Sequence, residues 1–202
     1  MKQKHKSLPA RDLKSMVMST AVNMYFDKMG KEESEYLVYP LSRQGTGMVD
    51  TFSAINSQLA FDPVSISLGE HAIINSKTMT KTIEVKNVTK EMMNVVPVFE
   101  GDSKLVVSGL PKSISIDAMS SEKVKIKFTI SADEKDKFEL NGFINFMNGD
   151  VKLSRVPVLA VINQASGIEV SSFEFNSVLD KDKPRASLLL KNNSQFSGDV
   201  YP

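Results

Sequence analysis

The sequence predicts a mainly β protein in which two α-helices precede an antiparallel sandwich. Before residue 60 the apolar residues recur at spacings of three and four, which is the helical period. After residue 60 they alternate with polar residues at a spacing of two, which is the period of a half-buried strand. Roughly seven such segments, separated by turn residues, lie between Val64 and Ile162. Many short strands at this spacing are typical of a sandwich.

The first helix is predicted to begin near Pro9, because proline suits the first turn of a helix. Its apolar stripe consists of Leu13, Met16, Val17, Thr20, Ala21 and Met24. A second stripe predicts another helix and consists of Val49, Phe52, Ile55 and Leu59. Two helices of this size cannot bury both stripes against each other alone. We therefore expect that neither helix is fully buried.

The clearest predicted strand ends at Ile130. Its apolar residues alternate with a face of mostly lysine, so we expect one side to be buried: Val124, Ile126, Phe128 and Ile130. Asn148-Gly149-Asp150 separates two further apolar segments and predicts a β-hairpin. Pro97 and Pro157 lie inside strand-like segments. Because proline cannot donate to a strand ladder, those two segments are predicted to be edge strands or bulged strands.

The periodicity divides the chain into three predicted parts: a helical segment at 1–60, the sandwich at 61–164 and a further β segment at 165–202. The third part contains two strand-like segments, Ile168 to Val178 and Arg185 to Lys191. Two or three strands cannot close a sandwich. We therefore expect this part to be the start of another, incomplete β-domain.

The composition excludes several classes of function. The chain has no cysteine, so disulfides, thiolate metal sites and a cysteine nucleophile are ruled out. It carries 25 basic and 24 acidic residues with a net charge of +1, so it lacks the basic excess of a nucleic-acid-binding protein. We expect no signal peptide, because no apolar run follows the basic residues near the N-terminus, and no run of about 20 apolar residues could span a membrane.

One short motif and one acidic cluster are candidate binding sites. Gly45-Thr46-Gly47 would need a third glycine at position 50 to be a dinucleotide fingerprint, and Asp50 stands there. The motif therefore predicts a tight turn that leads into a helix. A cluster of acidic residues interleaves with lysines and predicts a solvated loop, with calcium binding as the alternative: Asp133, Glu134, Asp136 and Glu139. No cofactor, catalytic residue or metal site is predicted from these patterns.

Two segments resemble subtilisin-like serine proteases, the subtilases. Leu8 to Ala21 resembles a helix of the catalytic domain that ends in Thr-Ala. Arg43 to Ile55 resembles the Gln-Gly-x-Gly turn and the last helix of the same domain. This resemblance implies that Gln44, Gly45 and Gly47 form a structural turn. The order and separation of the two segments also match the family.

The region from Phe61 to Asn163 is similar to the fibronectin type III-like domain, an immunoglobulin-like sandwich, that follows the catalytic domain in large secreted subtilases. Asn141 to Ile144 and Arg155 to Leu159 carry that likeness. The resemblance implies an extracellular or cell-surface location.

The chain departs from the family at the catalytic residues. The family's nucleophilic serine lies in Gly-Thr-Ser-Met-Ala, and the chain contains no such segment. The family's catalytic aspartate and histidine, which lie further upstream, are also absent. The resemblance therefore implies a non-catalytic C-terminal part of a secreted serine endopeptidase, with the rest of the catalytic domain and protein substrates as partners. The alternative is a cell-surface adhesion or binding module with an immunoglobulin-like fold.

Overall fold

The fold is given by a computed structural model that describes residues 1–26, 37–71, 76–131, 139–162, 168–176 and 185–192. The chain divides into two compact units, Met1–Asn163 and Gln164–Pro202. The segment before residue 60 lies in the same unit as the sandwich. The two units are described separately below.

The described part of the larger unit contains three helices: α1 (Ala10–Ser19), α2 (Leu41–Gln44) and α3 (Thr51–Ile55). A two-stranded ribbon pairs β1 (Tyr25–Phe26) with β2 (Leu37–Val38). The other strands of this unit are β3 (Leu59–Asp62), β4 (Ile66–His71), β5 (Lys77–Asn87), β6 (Met93–Gly101), β7 (Leu105–Ser108), β8 (Ile114–Ile116), β9 (Ser121–Ile130), β10 (Glu139–Asn148) and β11 (Val151–Ile162).

Two sheets form the sandwich and confirm the predicted fold class. One has the strand order β4-β11-β10-β6-β8, and the other has the order β3-β5-β9-β7. Neighbouring strands are antiparallel except β4 and β11, which run parallel. Alternate residues of both sheets point into one shared core, and its largest fully buried side chains include Phe128, Phe146, Leu59, Ile83 and Ile126.

Two of the strand predictions are confirmed in detail. On β9 the residues Val124, Ile126, Phe128 and Ile130 are buried, whereas Lys123, Lys125 and Lys127 are exposed. The predicted hairpin joins β10 to β11, with Asn148 opposite Val151 across the turn.

The prediction that Pro97 and Pro157 mark edge strands is wrong, whereas the alternative of a bulged strand holds for β11, whose register with β10 shifts between Phe146 and Met147. Pro97 lies on β6 and Pro157 on β11, and both strands are inside the five-stranded sheet. The ladder between β6 and β8 ends at Val95, and the ladder between β11 and β4 begins at Val158. Each proline therefore lies where its strand is paired on one side only. A strand position that is paired on one side only can hold proline without losing a ladder hydrogen bond when its nitrogen faces the unpaired side.

The expectation that the first helix is not fully buried is also wrong for part of its stripe. Met16 has 0% exposure and Ala21 has 4%. Met16 packs with Leu8 and with Ala60 of β3, on the outer face of the four-stranded sheet. The sandwich therefore supplies the apolar partner that α1 requires. Met24, at the far end of the predicted stripe, lies beyond the helix and is 42% exposed.

Polar contacts fix the same helix to the sheet. Asp12 is 5% exposed and forms an ion pair with Lys86 of β5. The neighbouring Arg11 places its guanidinium 3.1 Å from the carboxylate of Asp62 on β3. These ion pairs connect α1 to two adjacent strands.

The second predicted helix is shorter than its stripe. Helix α3 ends at Ile55, and Leu59 belongs to β3, where it pairs with Asn87 of β5. The hydroxyl of Ser57 donates to the carbonyl of Leu59 at 2.9 Å, which closes the turn between the helix and the strand. Leu59 is fully buried, so it satisfies the apolar position of a strand as well as that of a helical stripe.

The described part of the smaller unit contains β12 (Ile168–Asn176) and β13 (Arg185–Asn192). They pair antiparallel from Ile168 opposite Asn192 to Asn176 opposite Arg185.

Candidate functional site

The three residues predicted to form the Gln-Gly-x-Gly turn lie between α2 and α3. Gly45 follows the last residue of α2 with a φ of +60°, and its N–H donates to the carbonyl of Leu41 at 2.8 Å. Gly47 has a φ of +113°. A β-carbon on Gly47 would lie 2.0 Å from the carbonyl oxygen of Val22. Position 47 therefore requires glycine both for its backbone conformation and for the close approach of a neighbouring segment.

Gln44 connects the turn to the segment that follows α1. Its side-chain oxygen accepts a 2.8 Å hydrogen bond from the N–H of Met24, and its side-chain nitrogen donates to the carbonyl of Tyr39. Val22 and Met48 exchange two backbone hydrogen bonds of 2.8 and 2.9 Å. Gln44 is buried, so its amide replaces backbone partners that the irregular chain lacks.

Side chains on strands β10 and β11 form hydrogen bonds with the turn region. The N–H of Leu41 donates to Asn141 Oδ1 at 2.9 Å, and the N–H of Ser42 donates to Glu139 Oε1 at 3.1 Å. These bonds pair backbone donors in the first turn of α2. Beyond the helix, Arg155 Nη2 donates to the carbonyl of Thr46 at 2.9 Å.

Arg155 is the most unusual group in this region. It lies opposite Asn145 in the ladder between β10 and β11, and it is 6% exposed. Its Nη1 donates to Asn23 Oδ1, and its guanidinium carbon lies 4.1 Å from the centre of the Phe143 ring. Its Nε is buried and has no hydrogen-bond partner among the described residues. Burial lowers the pKa of Arg155 from its usual value, against the opposing influence of Tyr25 and Glu100.

A cleft of about 290 Å³ opens beside this guanidinium. We call it the Arg155 cleft, and its polar lining includes Ser19, Asn23, Tyr25, Asp50, Lys152 and Arg155. Ser19 is fully buried, and within the described part of the chain its hydroxyl also has no hydrogen-bond partner. Asp50 accepts from Ser53 N at 2.9 Å and from Ser53 Oγ at 2.8 Å. These two hydrogen bonds, of which the one from the backbone N–H contributes most, lower the pKa of Asp50.

An apolar surface lies on the residues around the turn. We call it the 22–52 surface, and its members are between 41% and 77% exposed: Val22, Met24, Tyr25, Leu37, Val38, Met48, Val49 and Phe52. Val22 and Met48 are backbone neighbours, as are Tyr25 and Val38 in the β1–β2 ribbon. Members that are distant in sequence are therefore held together by main-chain hydrogen bonds.

The structure gives no support to a metal site or a membrane-spanning helix within the described residues. Among the residues that the structure describes, no three His, Asp or Glu side chains come together in a way that could hold a metal ion. Of the acidic cluster considered for calcium, Asp133, Glu134 and Asp136 lie outside the described residues. No helix in the described ranges is long and apolar enough to cross a bilayer.

Sequence reasoning did not identify Arg155, Ser19 or Asn23 as site residues. One signal pointed to Arg155, because it is the only charged residue in the strand-like segment from Leu153 to Ile162. Nothing in the local sequence distinguishes Ser19 or Asn23 from other polar residues next to a helix. Their proximity to Arg155 arises only from the long-range packing of the turn on β11.

No protein-family profile matches the chain, and no curated protein matches it. Solved structures resemble parts of it. WR4, a member of the MSP family from C. elegans, is 11% identical with a TM-score of 0.36 over 53% of this chain and 99% of its own. A FixG-related protein from Vibrio parahaemolyticus is 8% identical with a TM-score of 0.35 over 45% of this chain and 99% of its own.

A PapD-like domain of human CEP192 is 9% identical with a TM-score of 0.36 over 54% of this chain and 87% of its own. These identities and scores carry no argument about function. The sandwich of this chain is established by its own two sheets and the core that they share.

Proposed function

We propose that the chain is a non-catalytic C-terminal part of a secreted subtilisin-like serine endopeptidase, in which the sandwich presents the 22–52 surface to the rest of the catalytic domain. The observation that carries this proposal is the exposure of the 22–52 surface. Of the fourteen large apolar residues that are exposed in the described ranges, eight belong to it. A concentration of apolar residues of this kind is typical of an interaction site.

The position of this surface in the chain supports the proposal. It lies within the part of the sequence that resembles the catalytic domain and extends from Val22, just after the segment that ends in Thr20-Ala21, to Phe52 in the last helix at Thr51–Ile55. In a larger catalytic domain, its apolar residues would be covered by the domain's remaining elements. Phe52, the most exposed member at 77%, lies on α3 and would contribute the largest buried ring.

The contacts beneath the 22–52 surface support a role for the sandwich as its structural base. Helix α1 is buried against β3, and the turn at Gln44–Gly47 is held by Arg155 of β11. The segment that carries the surface is therefore fastened to the sandwich at two separate places. The sandwich acts as a rigid base that fixes how the surface is presented.

The chemistry of the proposed parent protein would be acyl transfer by a serine that a histidine base activates. None of those residues is in this chain. We therefore expect the purified chain to hydrolyse neither casein nor peptide esters. A serine-directed fluorophosphonate should label no residue of it, and stoichiometric labelling of any serine would contradict the proposal.

The coding sequence upstream of Met1 tests the proposal directly. We expect an in-frame segment that encodes Gly-Thr-Ser-Met-Ala, and the longer protein made from it should react with the fluorophosphonate at that serine. A signal peptide directly upstream of Met1, with no such segment, would contradict the proposal and favour the adhesion module.

Variants of the longer protein test the surface itself. Phe52→Ser should reduce its peptidase activity and its thermal stability, because a polar group would replace a ring at a buried contact. Val106→Ser is the matched control, since Val106 is 52% exposed on β7 and lies outside the 22–52 surface. Equal effects of the two substitutions would contradict the assignment of this surface.

A further inference from the structure

We infer that the Arg155 cleft is a binding site for a carboxylate group, recognised by the guanidinium of Arg155 and the hydroxyl of Ser19. This inference does not depend on the proposed function.

The first reason is that the buried positive charge of Arg155 has only neutral hydrogen-bond partners among the residues that the structure describes. Its hydrogen bonds go to the amide oxygen of Asn23 and the carbonyl of Thr46, and its face lies on the Phe143 ring. A guanidinium has five N–H donors, and these two bonds leave the others available. A buried cation without an anionic partner is costly, so a site of this kind favours an anion.

Two described carboxylates in this region accept hydrogen bonds from other residues. Glu100 accepts a 3.1 Å hydrogen bond from Asn145 Nδ2, and Asp50 accepts from the backbone and the hydroxyl of Ser53. Neither forms an ion pair with Arg155 within the described part of the chain. The direction of the pKa shift of Arg155 agrees with this, because burial lowers the pKa more than Tyr25 and Glu100 raise it.

The second reason is a second unsatisfied donor in the same cleft. Ser19 Oγ is fully buried and has no hydrogen-bond partner, although most buried hydroxyls have one. Arg155 Nε is likewise buried, and no described residue pairs with it. Ser19 and Arg155 both line the cleft, so a single acceptor with two oxygens bound beside them can pair both donors.

The charge and size of the cleft identify the acceptor further. Lys152, which is exposed, adds a second positive charge to the lining, while Asp50 adds a negative one. The planar fork of a guanidinium matches a carboxylate, and the ionised Asp50 disfavours a doubly charged phosphate. A volume of about 290 Å³ accommodates a carboxylate on a short carbon chain. The source of the group is a side chain of an acidic peptide, a peptide C-terminus or a free organic acid.

Nitrogen-15 NMR of the full chain, at constant ionic strength, tests the inference. Sodium acetate should shift the Nε–H signal of Arg155 and the amide signals of Ser19 and Asn23 with a saturable dependence on concentration. Acetamide, which has the same shape without the charge, should leave them unchanged. Absence of a saturable shift with acetate, or equal shifts with acetamide, would overturn the inference.

Two further probes distinguish the sources. One is acetyl-aspartate N-methylamide, which offers a side-chain carboxylate, and the other is acetyl-glycyl-alanine, which offers a C-terminal carboxylate. Tighter binding of either than of acetate identifies the peptide group that the cleft prefers. Equal affinity for all three supports a site for free organic acids.

Variants make the test independent of whether Arg155 can be replaced without unfolding the turn. Lys152→Gln should weaken the binding of acetate two- to five-fold, since it removes one positive charge at the cleft while leaving the core intact. Lys127→Gln is the matched control, because Lys127 is an exposed lysine on β9 of the other sheet. Equal weakening by both variants would show a nonspecific charge effect and overturn the inference.

Discussion

Ser15 on α1 accepts a 2.6 Å hydrogen bond at its hydroxyl oxygen from the backbone N–H of Phe61 on β3. Strand β3 lies at the edge of the four-stranded sheet. The bond therefore satisfies a backbone donor for which an edge strand has no strand partner. Ser19 lies one turn further along the same helix and is equally buried, but its hydroxyl has no partner.

This difference predicts opposite outcomes for two identical substitutions. Ser15→Ala should lower the free energy of unfolding by about 1–3 kcal/mol, because the N–H of Phe61 is left buried without an acceptor. Ser19→Ala should change it by less than about 0.5 kcal/mol or increase it, since no hydrogen bond is lost. Urea unfolding of both variants measures the two values. Equal losses would contradict the pairing of Ser15 with Phe61.

The two glycines of the turn provide a second matched pair. Gly47→Ala should cost about 3 kcal/mol or more, because its β-carbon would overlap the carbonyl of Val22 and break the contact between Val22 and Met48. Gly45→Ala should cost less, about 1–3 kcal/mol, since that position has open space and only its backbone conformation, φ +60° and ψ −127°, disfavours alanine. Thermal unfolding and the hydrogen exchange of the Met48 amide measure the effects. A larger loss at Gly45 would contradict the described turn.

The alternation along β9 makes a third comparison possible. Phe128→Ala should lower the free energy of unfolding by about 3–5 kcal/mol, because the ring is fully buried between the two sheets. Lys127→Ala, at the next position and on the exposed face, should change it by no more than about 0.5 kcal/mol. Similar values for both, in the same denaturant series, would mean that the register of β9 is misassigned.

Asp50 gives a prediction about pH. Its pKa is lowered in the folded chain, so its contribution to stability is complete above the unfolded value of about 3.9 and is lost as the pH falls through the lower, folded value. The amide signal of Ser53 should therefore titrate with a midpoint below that of an ordinary aspartate. Asp50→Asn should abolish this titration while it keeps a side-chain acceptor at the start of α3. A midpoint at or above the ordinary value would contradict the described hydrogen bonds.

The sandwich could be predicted because each strand carries its own alternation of apolar and polar residues. The alternation from Val124 to Ile130 predicts which face of the strand is buried, and it does so without information from any other part of the chain. The segment before β3 was harder to predict, because its partners come from elsewhere. Met16 is buried only because Ala60 and the outer face of β3 lie against it. The same stripe would be exposed in a chain without that sheet.

Residues at the boundary between a helix and a strand were predicted least well. Leu59 fits the spacing of the helical stripe that starts at Val49, yet it pairs with Asn87 as part of β3. A single apolar position satisfies both periods, so the end of the helix depends on the polar turn at Ser57. The cleft could not be predicted at all, because its unsatisfied donors are evident only once Arg155 and Ser19 are placed together.

The bonds from Arg155 to Thr46 and Asn23 connect residues 109 and 132 positions apart. A ribosome that adds about 5–20 residues per second makes Thr46 roughly 5–20 s before Arg155. Throughout that interval the nascent chain carries the apolar residues around the turn without the side chain that fastens them. Helix α1 can settle on β3 early, whereas the turn must wait for the last strand of the sandwich. Completion of β11 is therefore the event in synthesis after which Arg155 can fasten the turn to the sandwich.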